Sequence, residues 1–257
     1  EAVHTVVLLA VISGFIILGV GEILAPILLG MMNVPDDVLK LATLYLRIFF
    51  FAMPFIEIYD FGSAVLRSKG DSTRPLYALI TAGVINVILN LVFVIVFKMG
   101  VAGVATATVI SNFFSACMIL YFLNHEEEML RLDFRKLRIR WEYLLGIIKI
   151  GLPAGLQSMV FSLSNVVIQA AINSFGSDGI AGSTAEQNFE FMAYFVINAF
   201  AQTATTFTSQ NFAAQDKERC KKIYRLCTFI GLASCLGLSL ISVSYTHLRA
   251  HETKANL

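Results

Sequence analysis

The sequence predicts an all-α membrane protein, and three observations carry that class: its composition, the length of its apolar runs, and the alternation of charge between its loops. Apolar residues make up 57% of the 257 and charged ones 14%, with a mean hydropathy of +0.73. Ordinary soluble domains are roughly a quarter charged. A water-soluble fold could not hide so much apolar surface, so lipid is the solvent this composition requires. A membrane-spanning helix needs about 20 mostly apolar residues. Seven stretches meet that length: 5–30, 38–66, 76–97, 101–123, 144–174, 188–211 and 223–242.

Each element has its own punctuation. The first span follows Glu1-Ala2-Val3-His4 directly, with no basic n-region or cleavage site of a signal peptide. It ends at Asn33-Val34-Pro35-Asp36-Asp37, which holds no Lys or Arg. The second span closes on the loop 67–74, with Arg67, Lys69 and Arg74, and Pro75 then opens the third. Proline suits a helix start because the first backbone N–H groups need no partner there. Lys98 is the one basic residue before the fourth span, whose Gly100, Gly103, Ala105 and Ala107 permit close packing on a neighbour. The 124–143 segment then carries Glu126-Glu127-Glu128 and Arg131, Arg135, Lys136, Arg138 and Arg140. Gly176-Ser177-Asp178-Gly179 has no basic residue, and the last loop has Lys217, Arg219, Lys221, Lys222 and Arg225. Short loops rich in Lys and Arg stay cytoplasmic, and every loop here obeys the alternation. Pro26, Pro54 and Pro153 fall inside or near the starts of spans, where they would kink helices that a bundle can tolerate.

Composition also excludes classes. A formal charge of +1 gives no basic face for nucleic acid. The four cysteines, Cys117, Cys220, Cys227 and Cys235, form no CxxC pair, and no His/Cys cluster has metal-ligand spacing. There is no GxSxG elbow, HExxH or Walker loop, so no catalytic residue, metal or cofactor is expected and the chain is not read as an enzyme. Without a P-loop, any pumping must draw on an ion gradient.

Polar residues inside lipid are the informative ones. The second span carries Arg47, Glu57 and Asp60. Glu57 and Asp60 are three apart and share a helix face, nearly with Tyr59 and Ser63. A carboxylate in a low dielectric can take up a proton near neutral pH, which would let it couple ion movement to a conformational change; simple hydration near the cytoplasmic interface is the alternative. Glu22 reads as a hydrated residue at a helix end and Arg47 as an anchor near the outer interface. The fifth span places Gln157, Asn165, Gln169 and Asn173 at multiples of four, with Phe161 interrupting, and the sixth does the same with Glu186, Glu190, Tyr194, Asn198, Gln202 and Thr206. Such steps overshoot a 3.6-residue turn by about 40° each, so the stripes wind slowly. Amides and an aromatic ring lining a cavity suit an amphiphilic guest. Hydrogen bonding between helices, worth roughly 1 kcal/mol per bond, would also account for them. Asn86 and Asn90, one turn apart in the third span, read the same way.

The loop Leu66-Arg67-Ser68-Lys69-Gly70-Asp71-Ser72-Thr73-Arg74-Pro75 resembles the LRxxGDxxxP loop of the multidrug and toxic compound extrusion (MATE) transporters. Arg67, Gly70, Asp71 and Pro75 are its matching positions. Asn86-Val87-Ile88-Leu89-Asn90 with Phe93, Gly100-Val101-Ala102-Gly103-Val104-Ala105 and Gly151-Leu152-Pro153 follow in the family's order. Ser209-Gln210-Asn211-Phe212-Ala213-Ala214-Gln215-Asp216 resembles its SQN-x-GA-x-D helix end, through Gln210 and Asn211. The resemblance implies twelve helices in two six-helix lobes around a central cleft, of which this chain would hold the third to ninth. Residues 1–123 would be the last four helices of the N-terminal lobe, 124–143 the cytoplasmic linker, and 144–242 the first three helices of the C-terminal lobe. It further implies export of cationic or amphiphilic small molecules in exchange for H⁺ or Na⁺, by a monomer in the cytoplasmic membrane of a bacterium.

Two positions depart from that pattern. Some members place a cation-binding glutamate where this chain has Phe161, and others use an aspartate in the first helix, which this chain does not contain. The coupling ion therefore stays open, with Glu57, Asp60, Glu186 and Glu190 as the acidic residues in view. Residues 243–257 change character abruptly; Val243-Ser244-Tyr245-Thr246-His247-Leu248-Arg249-Ala250-His251-Glu252-Thr253 resembles the translation of a transposon-end adapter, so a non-native tail is expected. Two other functions compete: a lipid-linked saccharide flippase, whose cavity should be markedly cationic, and a seven-helix receptor.

Overall fold

The computed structural model describes the backbone of residues 1–31, 36–127, 130–173 and 176–255; side chains at 28, 31, 36–38, 134, 173, 176–182, 184–185, 189, 241–242 and 244–255 lie outside the description. Among the described residues eight α-helices follow one another: α1 (Ala2–Met31), α2 (Asp36–Phe50), α3 (Met53–Ser68), α4 (Thr73–Leu91), α5 (Val101–Asn124), α6 (Trp141–Asn173), α7 (Gly176–Ala213) and α8 (Lys217–Ala255). A π-helical turn, Val92–Val96, prolongs α4, and a 3-10 turn, Phe134–Lys136, lies between α5 and α6. There is no strand among the described residues.

Among the described residues, five helical segments are long and apolar enough to cross a membrane: Ala2–Ile27, Thr73–Val96, Val101–Asn124, Trp141–Ile172 and Lys217–Leu240. A sixth arises if α2 and α3, bent by 45°, count as one broken span. Seven were expected, and two local causes account for the difference. The 38–66 stretch is not one helix: Phe51 and Ala52 donate to Ile48 and Phe49 at 3.2 and 2.8 Å, tightening the end of α2. Pro54, in the first turn of α3, has no N–H to carry the ladder through and its ring would clash with the carbonyl four residues back. Helix α7 is long enough at 38 residues, but its amides, carboxylates and threonines keep it outside the apolar set. Pro26 and Pro153, by contrast, lie inside helices that run on through them.

The chain divides into two compact units, Glu1–Met159 and Val160–Leu257. In the first, α1 packs on α2 and α3, while α5 packs on α2, α3 and α4. Gly14 makes the α1–α3 approach possible, since a Cβ there would lie 2.5 Å from the Pro54 Cα. Gly103, Ala105 and Ala107 of α5, small residues singled out in the sequence, are buried. Val3, Val7, Val65, Leu66, Ala78, Ile119, Leu123 and Leu132 form the tight core; they draw on the first turns of α1 and α4, the last turns of α3 and α5, and the linker. That is the end at which the loop charges place the cytoplasm. In the second unit α7 packs on α8. Large apolar side chains elsewhere, such as Ile80, Val87 and Ile95, stand exposed. In lipid such a surface needs no covering, because the tails are as apolar as the side chains.

Candidate functional site

The α3–α4 turn explains its own sequence. The Gly70 N–H donates to the Arg67 carbonyl at 2.8 Å and the Asp71 N–H to the Leu66 carbonyl at 3.2 Å. This crossed pair closes a helix end and needs a left-handed residue, which Gly70 supplies at φ +94°. Asp71 then caps α4, its Oδ1 accepting from the Thr73 and Arg74 N–H groups at 3.0 and 3.1 Å and its Oδ2 from the Arg74 side chain. Partial burial pushes the Asp71 carboxyl up, but these hydrogen bonds outweigh it and hold it below the usual carboxylate range. Pro75 sits in the first turn, where its missing N–H costs nothing. The α7–α8 turn repeats the device. Gln215 donates to Phe212 and Asp216 to Asn211 at 3.0 and 2.9 Å, and the Asp216 Oδ1 accepts from the Arg219 N–H at 3.0 Å. Here the left-handed position is Gln215, at φ +62°. Asn211 donates to the Phe207 carbonyl at 2.8 Å, and Gln210 is half-buried.

An ion cluster fastens the α3–α4 turn to the end of α5. The Glu126 side chain is 4% exposed; its Oε1 accepts from the Lys69 Nζ at 2.7 Å and its Oε2 lies 2.5 Å from the Arg74 Nη2. Lys69 also reaches Glu127 at 3.2 Å. The hydrogen bond from Lys69, reinforced by Arg74, holds the Glu126 carboxyl below its ordinary range against the effect of burial. The linker is docked as well. Leu132 is fully buried and its N–H donates to the Leu123 carbonyl at 2.9 Å. The buried Thr5 hydroxyl donates to the Arg138 carbonyl at 3.1 Å and accepts from the Arg140 N–H at 3.2 Å, while the His4 Nε2 accepts from the Asp133 N–H at 3.1 Å. Sequence reasoning passed over His4, Thr5 and the role of Glu126; two polar residues opening an apolar run were the available signal.

Within the spans, the Ser13 hydroxyl of α1 donates to the half-buried Glu57 of α3 at 3.4 Å. Asp60 is exposed, and Tyr59 donates to the Pro75 carbonyl at 3.2 Å. Glu22 and Arg47, read separately above, pair at 3.6 Å across α1 and α2. Asn86 donates to Thr108 and Ser111 of α5 at 3.4 and 3.3 Å, and Asn90 donates to Asn86 at 2.9 Å. The Asn90 Oδ1 is buried and has no hydrogen bond. Thr108 and Ser111 complete this network and were not singled out beforehand.

The stripe residues divide. In α6, Gln157 and Asn165 are exposed and Gln169 is half-buried, accepting from Gln187 of α7 at 3.1 Å; Asn173 falls outside the described side chains. In α7, Glu186, Glu190, Tyr194, Asn198 and Gln202 are exposed, with Asn198 donating to the Tyr194 carbonyl at 2.9 Å. Among the described residues no cluster of three His, Cys, Asp or Glu could hold a metal.

Apolar helices of spanning length, with amides and carboxylates inside them, define a polytopic α-helical membrane protein. The MatE family model matches residues 1–92 and 153–251, and the chain belongs to that family. The probable multidrug resistance proteins YpnP and YoeA of Bacillus subtilis are 34% and 28% identical over 77% and 87% of this chain, and 44% and 50% of their own lengths. The chain thus spans about half the length of the curated relatives it matches. A multidrug resistance MATE family transporter solved in its outward-facing conformation superposes with a TM-score of 0.81 at 24% identity, over 98% of this chain and 55% of that one. That likeness shows the fold. The family is one of transporters, not enzymes.

Proposed function

We propose that the complete protein is a secondary active multidrug exporter of a bacterial cytoplasmic membrane, moving organic cations or amphiphilic compounds outward in exchange for H⁺ or Na⁺ and working as a monomer. One observation carries the ion-coupled part. Glu57 is half-buried within a span, with Ser13 at 3.4 Å as its hydrogen-bond partner and no basic residue in ion-pair distance among the described residues. A carboxylate so placed is open to a proton or a sodium ion. Asp60, Glu186 and Glu190 are the further acidic candidates. Asn86, Asn90, Gln157, Asn165, Gln169, Asn173, Tyr194, Asn198 and Gln202 would supply the polar part of the substrate cavity. Neutral amides and carboxylates suit a cationic guest better than the pyrophosphate of a lipid-linked saccharide. Arg67, Gly70, Asp71, Pro75, Gln210 and Asn211 hold helix reversals and are not assigned contact with substrate.

The test is dye efflux from energised vesicles carrying the complete protein. Glu57→Gln lowers efflux, whereas Asp37→Asn, in the first turn of α2, leaves it unchanged. Wild-type efflux from the Glu57 variant would remove Glu57 from the mechanism.

A further inference from the structure

The docked linker has a feature that export does not use. With the 3-10 turn fixed by the Asp133 Oδ1, which accepts from the Arg135 N–H at 3.0 Å, and with Thr5, His4 and Leu123 holding the chain on either side, residues 131–140 wall a cleft of about 800 Å³. Its other walls are Glu1, His4 and the last residue of α5, Asn124. Arg131, Arg135, Lys136, Arg138 and Arg140 line it against two carboxylates, Glu1 and Asp133. Glu1 pairs with Arg140 at 2.6 Å and Asp133 with Lys136 at 3.6 Å. Arg131 and Arg138 have no carboxylate in ion-pair distance among the described residues. A concave wall with cations in excess concentrates anions, and guanidinium groups match the geometry of phosphate oxygens.

Position selects the anion. Helix α6, a membrane-crossing segment from Trp141, starts one residue after Arg140. Ile139, Trp141 and Tyr143 stand exposed beside the cleft. Tryptophan and tyrosine at the end of a span mark the headgroup level of the bilayer. An anion held there by arginines, with apolar surface beside it, has the shape of a phospholipid: phosphate among the basic residues and acyl chains along the apolar flank. We propose that this cleft binds the headgroup of an anionic phospholipid of the cytoplasmic leaflet. The site shares no residue with Glu57 or the polar stripes and does not depend on the exporter reading.

Trp141 is the single tryptophan of the chain and reports on the site directly. The 257-residue chain is reconstituted in bilayers mixing phosphatidylcholine and phosphatidylglycerol, with bromine placed high on the acyl chains of one lipid at a time. Brominated phosphatidylglycerol should quench Trp141 beyond its mole fraction, and the preference should fall as salt rises. A basic residue near an anionic surface is worth about fivefold in local lipid enrichment. Arg131→Gln with Arg138→Gln should therefore abolish most of the preference, while Arg131→Lys with Arg138→Lys should keep it. Lys98→Gln, in the loop at the opposite end of α4, should leave it untouched. Equal quenching by the two lipids in the wild-type chain overturns the proposal, whether or not any variant folds. So does a preference that survives the double glutamine change. If inorganic phosphate erases the preference at low millimolar concentration, the cleft takes free phosphate and the lipid assignment is wrong.

Discussion

Replacing Glu126 by glutamine keeps the shape of a side chain that is 4% exposed and removes its charge. The Lys69 hydrogen bond at 2.7 Å and the Arg74 contact at 2.5 Å then lose their ionic part. Breaking a fully buried ion pair costs about 3–5 kcal/mol, because an uncompensated charge stays behind. Here the two cations are about a third exposed, at 34% and 31%, and each keeps a second carboxylate, Glu127 for Lys69 and Asp71 for Arg74. Solvent screening and those remaining partners reduce the cost to about 1–2 kcal/mol. At roughly 2–4 °C per kcal/mol for a chain of this size, the melting temperature should fall by about 2–8 °C. The assay is thermal unfolding in detergent followed by helical circular dichroism, with Glu127→Gln, whose carboxylate is 80% exposed, as a control that should barely move. The carboxyl is held below its unfolded-state value, so its contribution is fully present above the ordinary carboxylate range and is lost as pH falls through the folded value. The gap between wild type and Glu126→Gln should therefore close in acid. A Glu126→Gln melt equal to wild type at neutral pH, or equal to that of Glu127→Gln, would refute the reasoning.

The two helix reversals make opposite forecasts. Gly70→Ala should destabilise by about 1 kcal/mol, because a Cβ is disfavoured at φ +94°; Gln215→Gly should stabilise by about 0.5–1 kcal/mol, because it relieves the same strain at φ +62°. Paired thermal melts check both, and a loss of stability in both variants would contradict the assigned turn. Thr5→Val keeps the volume but leaves the Arg138 carbonyl and the Arg140 N–H without their bridging hydroxyl, at about 1–2 kcal/mol. The measurable consequence is faster proteolysis within 131–140, and an unchanged cleavage rate would show that Thr5 does not hold the linker.

Much of the fold was legible because lipid imposes simple rules. Apolar length and loop charge located the helices, and the turn motif announced its own geometry: a glycine for a positive φ, an aspartate for the next cap, a proline in the first turn. Those are local effects, settled within ten residues. The break between α2 and α3 was half visible in Pro54, yet an unbroken apolar run concealed it. The polarity of α7 was visible as a stripe but was not weighed against its apolar length.

The sequence by itself determined the membrane solvent, the helical class and the chemistry of the loop that reverses α3 into α4, since each depends on composition or on neighbours along the chain. Only the tertiary structure decided which polar residues meet. Ser13 and Glu57 are 44 positions apart, Asn86 and Ser111 are 25, and Thr5 and Arg138 are 133. No periodicity encodes such distances. They are set by which helix faces pack together, and in lipid that choice rests on small residues such as Gly14 and Gly103 and on the few hydrogen bonds that would otherwise face hydrocarbon.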